Sequence, residues 1–104
     1  MQIVCVGIDR TLLDSRCAAL AHHGYDARPV MLLQPKDFLM TAGGDLIILS
    51  AMLSKEQKAR VLQGIPASTR TLILEGLIFP SELLREVAEL LRRPAGAEKT
   101  PEAT

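Results

Sequence analysis

The chain has few aromatic residues and no surplus of charge of either sign. Its 104 residues include one tyrosine, two phenylalanines and no tryptophan. Proteins that bind single-stranded nucleic acid stack the bases on aromatic side chains, and this composition offers almost no such platform. Twelve basic and twelve acidic side chains give a formal net charge of zero. Because phosphate backbones and anionic lipid surfaces are bound through clustered positive charge, we expect neither nucleic acid nor a membrane as a partner.

We expect neither a leader nor a membrane-spanning segment in this sequence. The apolar run near the amino terminus is short, has no Lys or Arg before it, and is followed at once by Asp9 and Arg10. The uncharged run at residues 46–54 is too short to cross a bilayer, because a spanning helix needs about 20 apolar residues. These patterns predict a cytoplasmic protein.

Cysteine is scarce as well, with only Cys5 and Cys17. The first falls in a predicted strand and the second in a predicted helix. We expect two reduced thiols that pack as small apolar side chains. A disulfide between them is the alternative, and a cytoplasmic location disfavours it.

Apolar segments with the period of strands are plentiful, and 48% of the residues are hydrophobic. Residues 2–7 (QIVCVG) form a nearly continuous apolar run, which is typical of a strand buried on both faces. Further strands are predicted at residues 26–33, 45–49 and 69–75. Pro29 lies within the second of these and indicates an edge strand, because proline has no N–H to donate to a neighbour.

Helical patterns lie between and after these strands, at residues 10–23, 35–41, 54–63 and 80–93. Gly24 ends the first helix, and Ser54 with Gln57 forms a capping box at the start of the third. The last helix carries one broad apolar face. The sequence therefore predicts one domain over residues 1–93, followed by a small, polar, disordered tail over residues 94–104.

Alternating strands and helices predict an α/β fold with three layers, α/β/α, around an open parallel sheet. Asp9 and Ser50 would both lie where a strand ends. The carboxyl edge of such a sheet is where ligands usually bind.

Three stretches resemble the receiver domain of bacterial two-component response regulators. Residues 3–27 are similar to the receiver's first strand, its first helix and the Gly-Tyr turn that follows. Residues 45–53 are similar to the third strand with its exit loop, and residues 80–93 to the last helix. The resemblance implies a flavodoxin-like fold, here shortened by one strand–helix unit to four strands in the order 2-1-3-4. It leaves open whether the fourth strand corresponds to the family's fourth or fifth.

The family's phosphorylation site is not matched. A receiver has two acidic residues after its first strand that hold magnesium, and the matching positions here are Gly7 and Ile8. The phosphoacceptor aspartate is matched by Ser50, and the lysine near the end of the last strand is matched roughly by Gly76. Only the neighbouring Asp9 is acidic. We call these five residues the vestigial pocket.

The vestigial pocket is a poor place for phosphoryl chemistry. Magnesium is usually fixed by one or two carboxylates plus phosphate, and a serine hydroxyl is a weak nucleophile without an adjacent base. We therefore expect Asp9 to cap the first helix and Ser50 to close its strand. We expect no catalytic residue, no metal and no cofactor.

Apolar side chains follow the third and fourth predicted strands. They are Met52, Leu53, Leu77, Ile78 and Phe79. An exposed apolar patch at the carboxyl edge would mark a contact surface. The alternative is that Leu53 and Phe79 fold back over the sheet and fill the space of the vacated pocket.

The first functional hypothesis is a pseudo-receiver, a non-phosphorylatable signalling module related to phosphorelays that acts through protein–protein contact. A homodimer is one candidate arrangement, because a shortened sheet exposes an edge that invites pairing. The alternative is a switch that responds to a ligand or a phosphoryl group at a non-standard site formed by Asp9 and Ser50. A third hypothesis is a fragment of a larger sensor with no activity of its own.

Overall fold

Four strands and three helices alternate along the chain. The structure is a computed structural model that describes residues 2–34, 37, 43–66, 68–76 and 78–92. In chain order the elements are β1 (Gln2–Gly7), α1 (Arg10–His22), β2 (Asp26–Met31), β3 (Leu46–Leu49), α2 (Lys55–Gln63), β4 (Arg70–Ile73) and α3 (Pro80–Arg92).

The strands form one sheet in the order β2-β1-β3-β4, and every neighbouring pair is parallel. This confirms the predicted four-stranded arrangement. Pro29 lies in the edge strand β2, opposite Cys5 of β1, as expected for a residue without an N–H.

The central strands β1 and β3 are buried on both faces, which explains their continuous apolar sequence. On one face the core includes Leu13 and Leu20 of α1 with Val87 of α3, and these two helices contact each other. On the other face Val61 of α2 packs against Ile47 and neighbouring side chains of the sheet. The protein therefore has three layers, α/β/α, and a shortened flavodoxin-like fold.

Local signals fix where the helices begin. The Asp9 carboxylate accepts a hydrogen bond from the Leu12 N–H at 3.1 Å, which caps α1. At α2, the Ser54 hydroxyl accepts from the Gln57 N–H at 3.1 Å and the Gln57 side chain accepts from the Ser54 N–H at 2.9 Å. The predicted capping box is confirmed. Gly24 follows α1 with a φ of +91°, a conformation that glycine adopts without strain.

Two strands are shorter than predicted. β2 ends at Met31 and β4 ends at Ile73. Beyond each of these ends, one further backbone hydrogen bond joins the chain to the neighbouring strand. These are Leu32 N–H to Gly7 O and Leu74 N–H to Leu49 O. A strand stops where its neighbour stops because nothing remains to pair with it. The predicted helix at residues 35–41, apart from Asp37, and the predicted tail at residues 94–104 lie outside the described residues.

Within the described part of the chain, no helix is both long enough and apolar enough to cross a membrane.

Candidate functional site

The carboxyl end of β1 is crowded at the first of the two positions matched to the acidic pair. Gly7 is buried, and a Cβ atom there would lie 3.1 Å from Leu13 Cδ2 and 3.1 Å from Ser50 Cβ, so these neighbours would have to shift. Ile8, the second matching position, is partly exposed. The two positions are therefore a crowded glycine and an apolar side chain.

The side chains of Asp9 and Ser50 both accept hydrogen bonds from nearby backbone N–H groups. Asp9 caps α1, which confirms the capping prediction. Ser50 is buried, and its hydroxyl accepts a hydrogen bond from the Met52 N–H at 3.3 Å, while its carbonyl accepts from the Leu53 N–H at 3.2 Å. Ser50 thus holds the turn that leaves β3, as expected for a small polar residue that closes a strand.

The vestigial pocket is only partly assembled. Ser50 and Gly76 line one open cavity of about 320 Å³, together with Leu12, Arg16, Ala51 and Met52. Gly76 is exposed and has nothing within 4 Å of the place where its Cβ would be. Gly7, Ile8 and Asp9 do not line this cavity. The cavity thus includes two of the five residues of the vestigial pocket, together with the charged residue Arg16, which was not among the predicted site residues.

The burial of Arg16 was not predicted, although the sequence contains a sign of it. It lies on α1 at the spacing of Leu13, Cys17 and Leu20, so it occupies the apolar stripe of that helix. The structure accordingly buries it to 6% exposure. Burial lowers the pKa of the guanidinium, while Cys5 and Asp9 act in the opposite direction. The burial of Arg16 could have been predicted from the sequence, because a charged residue stands within the apolar stripe of the helix.

The residues of the predicted apolar surface differ in how exposed they are to solvent. Leu53 is 4% exposed and packs into the core with Val61, so its assignment to an exposed surface was wrong. The turn held by Ser50 directs Leu53 inward. Ile78 is half-buried against the opposite core, and Leu77 lies outside the described residues. Met52 and Phe79 are 55% and 73% exposed, so Phe79 does not fold back over the sheet.

Two further exposed apolar residues lie at the same edge. Ile8 follows β1 and Leu33 follows shortly after β2, as Met52 follows β3 and Phe79 follows β4. We call these four side chains the apolar rim. The carboxyl edge thus carries one large exposed apolar side chain after each strand. Leu33 was not part of the predicted surface because it was predicted to be the last residue of the second strand.

Cys5 and Cys17 are both free and lie within hydrogen-bonding reach of each other. The hydrogen bond to Cys17 and burial raise the pKa of the Cys5 thiol. The same hydrogen bond lowers the pKa of Cys17, which is the more exposed of the two.

The described residues contain no cluster of three or more His, Cys, Asp or Glu side chains that could hold a metal ion. A comparison with models of known protein families and with curated proteins found no match to this chain.

Proposed function

We propose that this protein is a pseudo-receiver, a cytoplasmic signalling module that binds another protein and carries out no phosphoryl transfer. The apolar rim carries this proposal. Four large apolar side chains at one edge of the sheet remain exposed to solvent although the core beside them is closely packed. Exposed apolar groups gathered at one place on a protein mark a surface that another molecule covers.

The geometry around Gly7 supports the absence of phosphoryl chemistry. A magnesium-dependent phosphoacceptor site needs carboxylates that converge at the strand ends. Here a side chain at the first of those positions would crowd Leu13 and Ser50, and Ser50 is engaged with the backbone of its own turn. Asp9, the acidic residue that follows β1, caps a helix.

The contact surface is tested by the double variant Met52→Ser/Phe79→Ser. Both side chains are exposed, so we expect the fold to be retained with little change in stability. Binding should weaken by about tenfold or more, because truncating central apolar anchors costs above about 1.4 kcal/mol. The wild-type protein is used to capture binding proteins from a lysate of the producing cells. Each captured protein is identified and purified, and calorimetry measures its affinity for the wild type and for the double variant.

The matched control for this experiment is Leu62→Ser. Leu62 is a large, exposed apolar residue on α2, away from the strand ends. The control should bind the partner as wild type does. If the double variant and the control bind equally well, the apolar rim is not the contact surface.

The loss of phosphoryl chemistry is tested by amide NMR with magnesium, and then with magnesium and beryllofluoride, a phosphoryl mimic. We expect no saturable shift at Gly7, Asp9 or Ser50, because these residues offer no set of carboxylates. Saturable shifts there would instead support the alternative of a phosphoryl-responsive switch at Asp9 and Ser50.

A further inference from the structure

Arg16 is the one charged side chain that is buried among the described residues. Its Nε and Nη1 atoms are shielded from solvent and have no hydrogen-bond partner in the part of the chain that the structure describes. Burial of a charge without a partner is strongly unfavourable, so such a group is usually paired with an opposite charge or used in binding.

The described acidic groups do not supply this partner. Asp9 attracts the guanidinium electrostatically, but one of its carboxylate oxygens accepts from the Leu12 N–H and no hydrogen bond joins it to Arg16. The other group that acts on Arg16 is the Cys5 thiol, which is neutral because its pKa is raised. The Nε and Nη1 atoms of Arg16 therefore have no acceptor among the described residues.

The cavity beside Arg16, which we call the Arg16 pocket, has the character of a small-ligand site. Its volume of about 320 Å³ is at the lower end of the range for such sites, roughly 300–1,000 Å³. Leu12, Ala51 and Met52 supply apolar walls, while Arg16 and Ser50 supply polar groups. The Ser50 hydroxyl accepts from the Met52 N–H, which leaves its own proton available to donate.

We propose that the Arg16 pocket binds a small organic oxyanion non-covalently, with the Arg16 guanidinium as its counter-charge. The ligand carries one carboxylate or phosphate group and a short apolar body. The anionic group balances the charge of the buried guanidinium, since guanidinium pairs strongly with both kinds of oxyanion. The apolar body packs against Leu12, Ala51 and Met52. The pocket shares Met52 with the apolar rim, but Arg16, on which this proposal depends, is not part of the rim.

The experiment is a titration of the full chain, followed by amide NMR, with four probes. Hexanoate and hexyl phosphate carry both the anion and the apolar body. Hexanol carries the body alone, and inorganic phosphate carries the anion alone. We expect saturable shifts at Ser50, Met52 and Gly76 with hexanoate, hexyl phosphate or both, and the one that binds more tightly identifies the oxyanion. Hexanol and inorganic phosphate should bind at least about tenfold more weakly.

Two variants separate the role of Arg16 from a general effect of charge. Arg16→Met keeps an unbranched apolar chain in the buried position, so the fold should be retained, which circular dichroism and thermal unfolding verify. Its affinity for the anionic probe should fall by about tenfold or more. Arg10→Met removes the same charge from an exposed position on the same helix and should bind as wild type does.

Several results would overturn the proposal. These are no saturable shift with either anionic probe, equal binding of hexanol, equal binding of inorganic phosphate, or equal affinity in Arg16→Met and wild type. Met52 belongs to both the apolar rim and the Arg16 pocket, whereas Phe79 belongs to the rim and does not line the pocket, so capture with the single variant Phe79→Ser separates the two proposals.

Discussion

Replacing Gly7 with aspartate is expected to lower the free energy of unfolding by about 3 kcal/mol or more. The new Cβ would lie 3.1 Å from both Leu13 Cδ2 and Ser50 Cβ, closer than most Cβ contacts in proteins, so these neighbours would have to shift. The carboxylate beyond it would enter a buried position. Overpacking and burial of a charge therefore act together in Gly7→Asp. Urea unfolding followed by circular dichroism measures the loss.

The neighbouring variant Ile8→Asp is the matched control. Ile8 is 37% exposed, so an aspartate there remains hydrated, and the free energy of unfolding should change by less than about 1 kcal/mol. The two variants together reintroduce, one position at a time, the acidic pair of a receiver. A Gly7→Asp protein as stable as Ile8→Asp, or one that magnesium stabilises, would contradict the closed geometry at the end of β1.

Replacing Ile48 with alanine is expected to cost about 4 kcal/mol of stability. Ile48 lies in the central strand β3, where it is opposite Cys5 on one side and Leu72 on the other. It is fully buried and belongs to the core that α1 and α3 cover. Its truncation removes apolar contacts and leaves a cavity that the rigid sheet cannot collapse to fill. Small domains have unfolding free energies of about 5–15 kcal/mol, so this one substitution should bring the protein close to unfolding at 25 °C.

Ile73→Ala makes the same chemical change in the same sheet and serves as the control. Ile73 ends the edge strand β4 and is 42% exposed, so its truncation should cost less than about 1 kcal/mol. Urea midpoints of the two variants give the comparison directly. Similar losses in both would mean that the sheet is not buried as the structure places it.

The order and type of the elements could be predicted because their signals are local. A helix cap such as Ser54 with Gln57 joins residues three positions apart, and the apolar run of β1 needs no knowledge of what covers it. The capping role of Asp9 could be predicted for the same reason. The ends of β2 and β4 could not, because each strand stops where its neighbour stops.

Less of the candidate site than of the fold could be predicted from the sequence. Leu53 and Phe79 both stand in loops after strands and have similar apolar character, yet one enters the core and the other remains exposed. The difference comes from the turn that Ser50 holds, which directs Leu53 under the sheet edge. Local pattern carries no information about which loop side chain finds a partner in a distant part of the chain.

By itself the sequence determined an α/β protein with four parallel strands, capped helices and no acidic pair at the strand ends. Each of these properties depends on residues close together in the chain or on the residue types present. Only the tertiary structure decided that Gly7 lies against Leu13 and Ser50, that Arg16 is buried beside Ser50 and Gly76, and that four apolar side chains share one edge. The physical reason is that burial and electrostatic surroundings are set by elements far apart in sequence, which meet only when the sheet is assembled.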